Sequence, residues 1–560
     1  MRRESVSEKD RVNKLKRQFD ILKAERDKRL SDWKDIQKYV APSVLNWDNP
    51  QDKIPKRSKR FTTRPTQFAK IMRTGIVGYS VSPNIVWHKL TFEDQHHVDG
   101  IYGGKDWLEN VERILYAEFS RSNLYQQVGI MINNAILYGD GVMMIDEIVG
   151  DNKLRFTALK KQEYFLDTDE YDEVDTIFRR YTMSLKKAAK FFGEDNLSDT
   201  QKDELNRDNS NLDKEITIIH AVFKREDDDK ESSGDKSMPY ASIYIDEGED
   251  RILMESGYSE FPFAVFIWEP VSGTPYGESP AIHAIDDIRI LNKIDEQKLK
   301  VAQMAGSPAY NVPESFRGSV VPNGFNYYKK PDEIVKPINS GINFPITLEI
   351  YHDIEDRVKD WFFVDFFLAL QRNQGKMTAT EVMEMQGEKA AVLSDVVVIL
   401  NSSLQKIIQR SFNLLFKQRK IPKPPESLSH TGAQLKVNFM GPLAQAQRKY
   451  HESAGIQQAV NLIGAIAQIA GPETLDVVDF DATMKRGLEG LGFPQEAIRE
   501  DKDIETLRKE RAEQQARQQQ LAAAMETQKQ IMGNANKLNE PVHPGSTLAE
   551  LNNQMAGGMQ

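Results

Sequence analysis

The sequence predicts an α+β protein in which long helices dominate and one block of short strands is inserted. Two observations indicate this class. Between residues 139 and 263, segments rich in β-branched and aromatic residues alternate with acidic, turn-forming stretches, which is typical of strands. After Ser279, apolar residues recur at steps of three and four over long stretches, which is typical of amphipathic helices.

The N-terminal part is predicted to be helical before the strands begin. A charged pattern with an apolar stripe covers residues 5–41 and ends at Pro42, and further helical patterns cover residues 66–80 and 106–138. Within the strand block, "KLRFTAL", "DTIFRRYTM", "EITIIHAVFK" and "YASIYID" predict individual strands. Far downstream, "LKVNFM" predicts one isolated strand among helices.

The stretch "YGESPAIHAIDDIRILNKIDEQKLKVAQMAGSP", residues 276–308, leaves two interpretations open. A helix that starts after Ser279 could hold a phosphate at its N-terminus. It could equally begin a long structural strut, since Pro280 suits a first helical turn and "GSP" ends the pattern abruptly. The first interpretation points to an enzyme and the second to an architectural protein.

Two more long helices are predicted after a proline-containing segment. The first carries Ile350, Ile354 and Val358 on one face and ends at "QRNQGK". The second starts at "TATE", where Thr378 and Glu381 have the spacing of a capping box, and runs to about Lys420.

Composition limits the function classes. A chain of 560 residues should form two to four packed units, and its net charge of −10 argues against general adhesion to nucleic acid. The chain has no cysteine, so it has no disulfide or thiolate metal site, as in proteins of a reducing cytoplasm. No apolar run is long enough to span a bilayer, and the N-terminal residues lack the apolar core of a secretory signal, so we expect no membrane anchor.

Candidate sites for chemistry are weak. "GIYGGKD" at 100–106 lacks phosphate-loop spacing, and "DQHHVDG" at 94–100 has adjacent histidines that would point apart on a strand. "DTDEYDEVD" at 167–175 has the carboxylates of a calcium loop but no glycine at the bend, so a charged turn between strands is expected. We therefore predict no catalytic residue, no metal and no cofactor.

The basic run formed by Lys56, Arg57, Lys59 and Arg60 has two interpretations. It can be a solvated loop, or it can contact phosphates or an acidic partner surface. Only Phe61 stands beside it, so base stacking is not expected and any nucleic-acid contact would be independent of sequence.

Several motifs, in a fixed order, resemble the head-to-tail connectors, or portal proteins, of short-tailed bacteriophages. These are "SVSPNIVWHKL", "ILYGDGVMMIDE", "YGESPAIHAIDDIRILNKI", "MTATEVMEM" and "IIQRSFNLLFKQRKIPKPP". The matches lie between about residues 30 and 425. Glu278 departs from the pattern, because the family often has arginine there, and the extreme C-terminus offers no motif to compare.

The resemblance implies the portal fold, mainly long helices with a β-rich wing, assembled as a ring, expected to be a dodecamer, around a central channel. It implies a partition into eight parts: 1–278 as N-terminal helices and α/β wing, 279–305 as stem helix 1, 306–345 as clip, 346–370 as stem helix 2, 371–377 as tunnel loop, 378–450 as long wing helix and return, 451–532 as C-terminal helical crown, and 533–560 as a tail expected to be disordered. In this scheme Ser279 and Pro280 begin a strut.

Candidate functional residues follow from the same resemblance. The tunnel loop at the DNA channel would contain Arg372, Asn373, Gln374, Gly375 and Lys376. The clip would present Arg317, Lys329, Lys330 and Lys336 to the packaging motor and the tail. The stem would pack through Ile285, Ile288, Ile350, Ile354 and Val358.

The implied partners are further copies of the chain, double-stranded DNA, the terminase motor, tail adaptor proteins, and the major capsid and scaffolding proteins. The implied location is the portal vertex of the virion, after assembly in the cytoplasm of the host bacterium. Two other classes remain: an ATP-driven packaging enzyme, which the lack of a phosphate loop disfavours, and a nucleic-acid-binding packaging protein that forms no conduit.

Overall fold

The computed structural model describes most of the first 443 residues and little after them. The described residues are 8–42, 47, 60–92, 104–148, 151, 153–206, 214–226, 234–306, 310–312, 314, 330–331, 335–337, 344–372, 387–425, 435–443 and single helical positions between 504 and 525. The chain divides into two compact units, residues 1–465 and 466–560. The predicted crown and tail fall almost wholly outside the described residues.

The first unit mixes helices and antiparallel sheets, so the predicted α+β class is confirmed. Its helices are α1 Glu8–Asp27, α2 Leu30–Tyr39, α3 Arg64–Ser80, α4 Gly104–Arg121, α5 Leu124–Tyr138, α6 Leu185–Phe192, α7 Asp199–Asn206, α8 Pro280–His283, α9 Ile285–Gly306, α10 Phe344–Trp361, α11 Val364–Arg372 and α12 Gly387–Lys417. Its strands are β1 His88–Phe92, β2 Asp140–Ile148, β3 Lys153–Ala158, β4 Tyr164–Thr168, β5 Val174–Ser184, β6 Glu215–Lys224, β7 Tyr240–Asp246, β8 Arg251–Tyr258, β9 Phe263–Ile267, β10 Tyr310–Asn311, β11 Lys336–Pro337 and β12 Leu435–Phe439.

A five-stranded antiparallel sheet in the order β4-β5-β6-β7-β8 is covered by helices on both faces. On one face, α1 packs Leu15 and Phe19 against Phe165 and Phe178. The other face is covered by α6 and the chain after it, through a cluster that includes Leu185, Ala188, Phe192, Leu197 and Tyr244. Burial of both faces fits the nearly continuous apolar run of the central strand β6.

A three-stranded sheet, β3-β2-β9, lies against the main hydrophobic core. Helix α5, which is mostly apolar, is joined to β2 through Gly139 alone, and α12 packs against β2 and β9. Two polar side chains of α12 reach the sheet backbone: Ser403 Oγ donates to the Val265 carbonyl at 2.8 Å, and Arg410 Nε donates to the Ile145 carbonyl at 2.8 Å.

Several predicted elements differ in detail. The N-terminal segment, predicted as one helix, forms two helices, α1 and α2, because the chain turns at Lys28 and Arg29. Helices α6 and α7 were not predicted inside the strand block. The helix expected from Ser279 is divided at Ala284, and the one expected over 346–370 is divided at Phe363, whose φ of 49° is left-handed. The start "TATE" lies outside the described residues.

The predicted strand at "LKVNFM" is confirmed as β12, and its partner is β1. Antiparallel pairing sets His88 opposite Phe439 and Phe92 opposite Leu435, which joins segments almost 350 residues apart. His88 is fully buried between the rings of Trp87 and Tyr116, with centroid distances of 4.2 and 4.5 Å. Among the described residues, neither ring nitrogen has a hydrogen-bond partner.

The first prediction concerns acid stability. Burial lowers the pKa of His88 from 6.5 to about 3, so between these pH values the unfolded chain binds the extra proton and the folded chain does not. The free energy of unfolding should fall as pH drops through this window, by at most about 1.4 kcal/mol per pH unit from this group. In His88→Phe, denaturant titrations should show a shallower acid loss. Equal loss in both proteins would contradict the assignment, and near-equal stability at pH 8 is the internal control.

Candidate functional site

The motifs "YGDG" at 138–141 and "YGESP" at 276–280 meet at one point, where the chain leaves the sheets and enters the long helices. Gly139 ends α5 with a φ of 93°, and its carbonyl accepts a hydrogen bond from the Trp268 amide at 2.8 Å. A Cβ on Gly139 would lie 2.0 Å from the Gly277 carbonyl oxygen, and a Cβ on Gly277 would lie 2.7 Å from the Gly139 carbonyl oxygen. Only two glycines allow this backbone contact.

Ser279 answers the question left open by the sequence. Its side chain is fully buried, and its hydroxyl accepts the Ile282 amide at 3.0 Å as the N-cap of α8. The same hydroxyl donates to the Leu137 carbonyl at 3.1 Å, which fixes the start of the long helices to the end of α5. Pro280 occupies the first helical position as predicted. The serine is thus used twice for architecture, which fits the strut interpretation.

A buried ion pair lies beside this contact. Lys161 and Asp140 are both completely buried, with the ammonium 2.6 and 2.5 Å from the two carboxylate oxygens. The Tyr164 hydroxyl donates to the same carboxylate at 2.6 Å. The rings of Trp33, Tyr164 and Tyr276 surround the ammonium at 4.2, 4.9 and 4.5 Å from their centroids. Burial lowers the pKa of Lys161 to about 8, while Asp140 opposes that shift.

The N-terminal helices hold the start of the long helices from outside. Arg29 donates to the Gly277 carbonyl at 3.1 Å and to Glu278 at 2.8 Å. One turn into α9, the guanidinium of Arg289 pairs with Asp35 of α2, its Nε lying 3.0 Å from the carboxylate. Glu278, which departs from the resembled pattern, is therefore paired with an arginine of α1–α2.

Comparison with known proteins identifies the group to which this architecture belongs. Residues 12–498 match the family described as "Bacteriophage head to tail connecting protein". The chain belongs to this family. It is 30% identical over 522 residues to a protein of Bordetella phage BPP-1 named "Probable portal protein", covering 90% of this chain and 91% of the relative. It is 28% identical over 538 residues to the "Portal protein" of Salmonella phage epsilon15, covering 92% and 93% of the two chains.

In this head-to-tail connecting protein, α9 and α10 pack against each other, and because they overlap the segments predicted as stem helices we call the pair the stem hairpin. Four of the five predicted stem residues are buried: Ile285, Ile288, Ile354 and Val358. The fifth, Ile350, is 50% exposed, and Trp361, three turns further along the same face of α10, is 43% exposed. Within the hairpin, Lys298 lies over the Tyr351 ring, and Arg357 joins Asp287 of α9 to Asp353 of α10 at 2.9 Å each.

The acidic residues of α10 are not equivalent. Glu355 is buried and paired with Arg64 of α3 at 3.1 Å, so it is an internal group of the connector. Asp353 and Asp356 are exposed but paired with Arg357 and Lys359 of the same helix. The acidic surface of this helix is therefore partly neutralised by ion pairs within the chain.

The other predicted site residues are only partly described. Arg60 donates to Thr66 at 2.6 Å, so this member of the basic run has a structural bond. Lys56, Arg57 and Lys59 lie outside the described residues, as do Arg317 and Lys329 of the clip and residues 373–376 of the tunnel loop. Lys330 is exposed, Lys336 pairs with Asn311 across β10–β11, and Arg372 ends α11.

Sequence reasoning missed Lys161, Asp140 and the pair Arg289–Asp35. Lys161 follows a strand in "LKKQEYF", and nothing in this local sequence indicates that the lysine is buried. Asp140 lies inside the motif "ILYGDGVMMIDE", which resembles the family, so the sequence did offer a reason to consider it. Over the described residues, no group of acidic or histidine side chains could hold a metal ion, and no helix is long and apolar enough to cross a membrane.

The second prediction tests the glycine contact. Gly139→Ala should destabilise the connector by about 3 kcal/mol or more, because the new Cβ overlaps a backbone carbonyl and the φ is left-handed. Gly78→Ala in α3 is the matched control, since nothing lies within 4 Å of its Cβ. Because alanine favours a helix more than glycine does, this control should stabilise the protein by up to about 1 kcal/mol. The denaturant midpoint of each variant, compared with that of the unmodified protein, measures its change in stability. Equal effects of the two substitutions would show that the contact is dispensable.

Proposed function

We propose that this chain is the portal of a short-tailed bacteriophage, the ring at one capsid vertex through which double-stranded DNA is packaged and later ejected. The observation that supports this most is the family match over residues 12–498, together with two relatives named as portal proteins over about nine tenths of both chains. In this role the chain is a structural part of the virion, expected to assemble in the cytoplasm of the host bacterium. It supplies no catalytic step, and the work of packaging is left to a terminase motor.

Ring formation is supported by apolar side chains that the single chain leaves about half exposed, although Trp361 also stacks on His283. Ile350 and Trp361 lie on one face of α10, separated by the paired charges of Asp353 and Arg357. Ile290 and Met304 are exposed on one face of α9. Exposed large apolar residues on both helices of one hairpin suit packing against copies of the same chain, as in a closed ring.

The partition of the ring follows the resemblance and stays a proposal. The stem hairpin would line the passage between the clip, residues 306–345, and the wing, whose sheets occupy residues 140–267. Lys330 and Lys336 would face the motor and the tail adaptor at the clip. Major capsid and scaffolding proteins would meet the outer parts of the ring, where Lys56, Arg57 and Lys59 are candidates for contact with phosphate or capsid.

A nucleic-acid-binding packaging protein that forms no conduit is the competing function. The two differ in mass, because a ring of about twelve copies is over ten times the 64.0 kDa chain. Light scattering and electron microscopy of the purified protein decide between them: a closed ring with a central opening supports the portal, and a stable monomer supports the competitor.

The third prediction tests the stem interface. Ile350→Glu with Trp361→Glu places two charges in the proposed contact between subunits, where an unpaired charge is costly to desolvate. The variant should keep its helical circular dichroism yet sediment as monomers or small oligomers. Ile21→Glu is a control on α1, at a side chain that is 68% exposed. Rings of normal mass from the double variant would remove these two residues from the interface.

The fourth prediction concerns residues 371–377, proposed as the tunnel loop. Arg372 and Lys376 would bring a positive ring near the DNA, with contacts that are screened and independent of sequence. Replacing both by Ala should give particles that assemble and package but retain less DNA, measured as DNA content per particle. Arg372→Lys keeps the charge and should retain DNA normally. Wild-type DNA content in the double Ala variant would exclude a retaining role for these side chains.

A further inference from the structure

One helix on the five-stranded sheet has an unusually cationic outer side. Helix α6 buries Leu185, Ala188 and Phe192 against the sheet. Its other side carries Lys186, Lys187 and Lys190, all exposed, and Phe191, which is 57% exposed. No ion pair joins these three lysines to any carboxylate in the part of the chain that the structure describes, although the protein as a whole is acidic.

The turn between β4 and β5 has the opposite character. It was predicted as a charged turn, and the structure confirms this. Glu170, Asp172 and Glu173 are exposed around Tyr171, which is 79% exposed. Only one of these carboxylates has an ion pair among the described residues, the surface contact of Glu173 with Lys406 at 3.5 Å. The turn thus presents an aromatic ring surrounded by negative charge.

The acidic turn is already ordered. The Asp169 carboxylate accepts the amides of Tyr171 and Glu173 at 2.9 Å each, and the Asp169 amide donates to the Glu173 carbonyl at 2.9 Å. These bonds hold Tyr171 outward without help from a partner. A surface that is ordered before contact loses little conformational entropy on binding.

The two surfaces cannot meet within one chain. The acidic turn precedes β5, and α6 begins directly after it, so the eleven residues of β5 separate them. At about 3.3 Å per strand residue this is roughly 36 Å. A head-to-tail contact between identical subunits requires two complementary surfaces at different places on each subunit. Each subunit then binds one neighbour through its acidic turn and the other neighbour through α6.

We propose that the acidic turn of one subunit, residues 169–173, docks on the cationic side of α6 of the next, with Tyr171 against Phe191. The inference rests on the proposed ring and adds a second, electrostatic contact outside the stem. DNA is the weaker alternative occupant of α6, since lysines would meet phosphates but an exposed phenylalanine has nothing to stack on in a paired duplex. The contact should weaken with salt, because its charges are exposed.

A cysteine cross-link tests the contact directly, because the natural chain has no cysteine. The double variant Tyr171→Cys with Phe191→Cys should form disulfides only between subunits. Mild oxidation of assembled rings should then give a reducible ladder of covalent multimers on a denaturing gel. The single variants, and Val86→Cys paired with Phe191→Cys, are the controls. Rings that give no ladder beyond these controls overturn the proposed contact and leave the ring itself standing.

Charge reversal provides the second measurement. Replacing Lys186, Lys187 and Lys190 by Glu, or Glu170 and Asp172 by Lys, should each weaken subunit association about tenfold at low salt, and combining both sets should restore most of it. Losses that simply add in the combined variant overturn the contact. If the wild-type chain is a monomer at all concentrations, and therefore gives no cross-link, both the ring and this contact fall.

Discussion

The backbone contact between Gly139 and Gly277 is the constraint on which the other parts of the first unit depend. It brings the end of α5, the start of β2 and the start of the long helices to one place. A Cβ at either position would overlap the carbonyl oxygen of the other glycine, so the two segments would have to separate, and the hydrogen bond from Ser279 to the Leu137 carbonyl would be strained. Since α9 continues directly from this point, its direction relative to the sheets is fixed here.

Charged side chains, and not only apolar ones, pack around the contact between Gly139 and Gly277. Lys161 and Asp140 give little net stability, because the cost of removing both charges from water offsets most of their attraction. Their value lies in specificity: the carboxylate at the first residue of β2 is satisfied only if Lys161 and Tyr164 stand where they do. Arg29–Glu278 and Asp35–Arg289 extend the same arrangement outward to α2.

The surfaces that remain unpaired suit assembly. Ile350 and Trp361 are exposed apolar side chains on one face of α10, while α6 and the turn before β5 carry opposite charges at opposite ends of one strand. A stem contact would supply hydrophobic free energy, and an outer charged contact would supply register and direction of docking. In the proposed ring, these two contacts would keep the subunits closed while the passage itself avoids strong phosphate binding.

The sequence by itself determined the class of the fold, five of the strands, the helix that starts at Ser279 and the family. These features follow from local rules. The spacing of apolar residues distinguishes a helix from a strand, and an N-cap serine followed by proline marks a helix start. The family was recognised from short motifs that occur in its order along the chain. Only the tertiary structure decided that Lys161 is buried, that His88 pairs with Phe439 about 350 residues further along the chain, and that Glu355 is internal while Ile350 is exposed. These outcomes depend on which distant element packs against a given face of a helix or strand. The local sequence pattern does not specify that partner element.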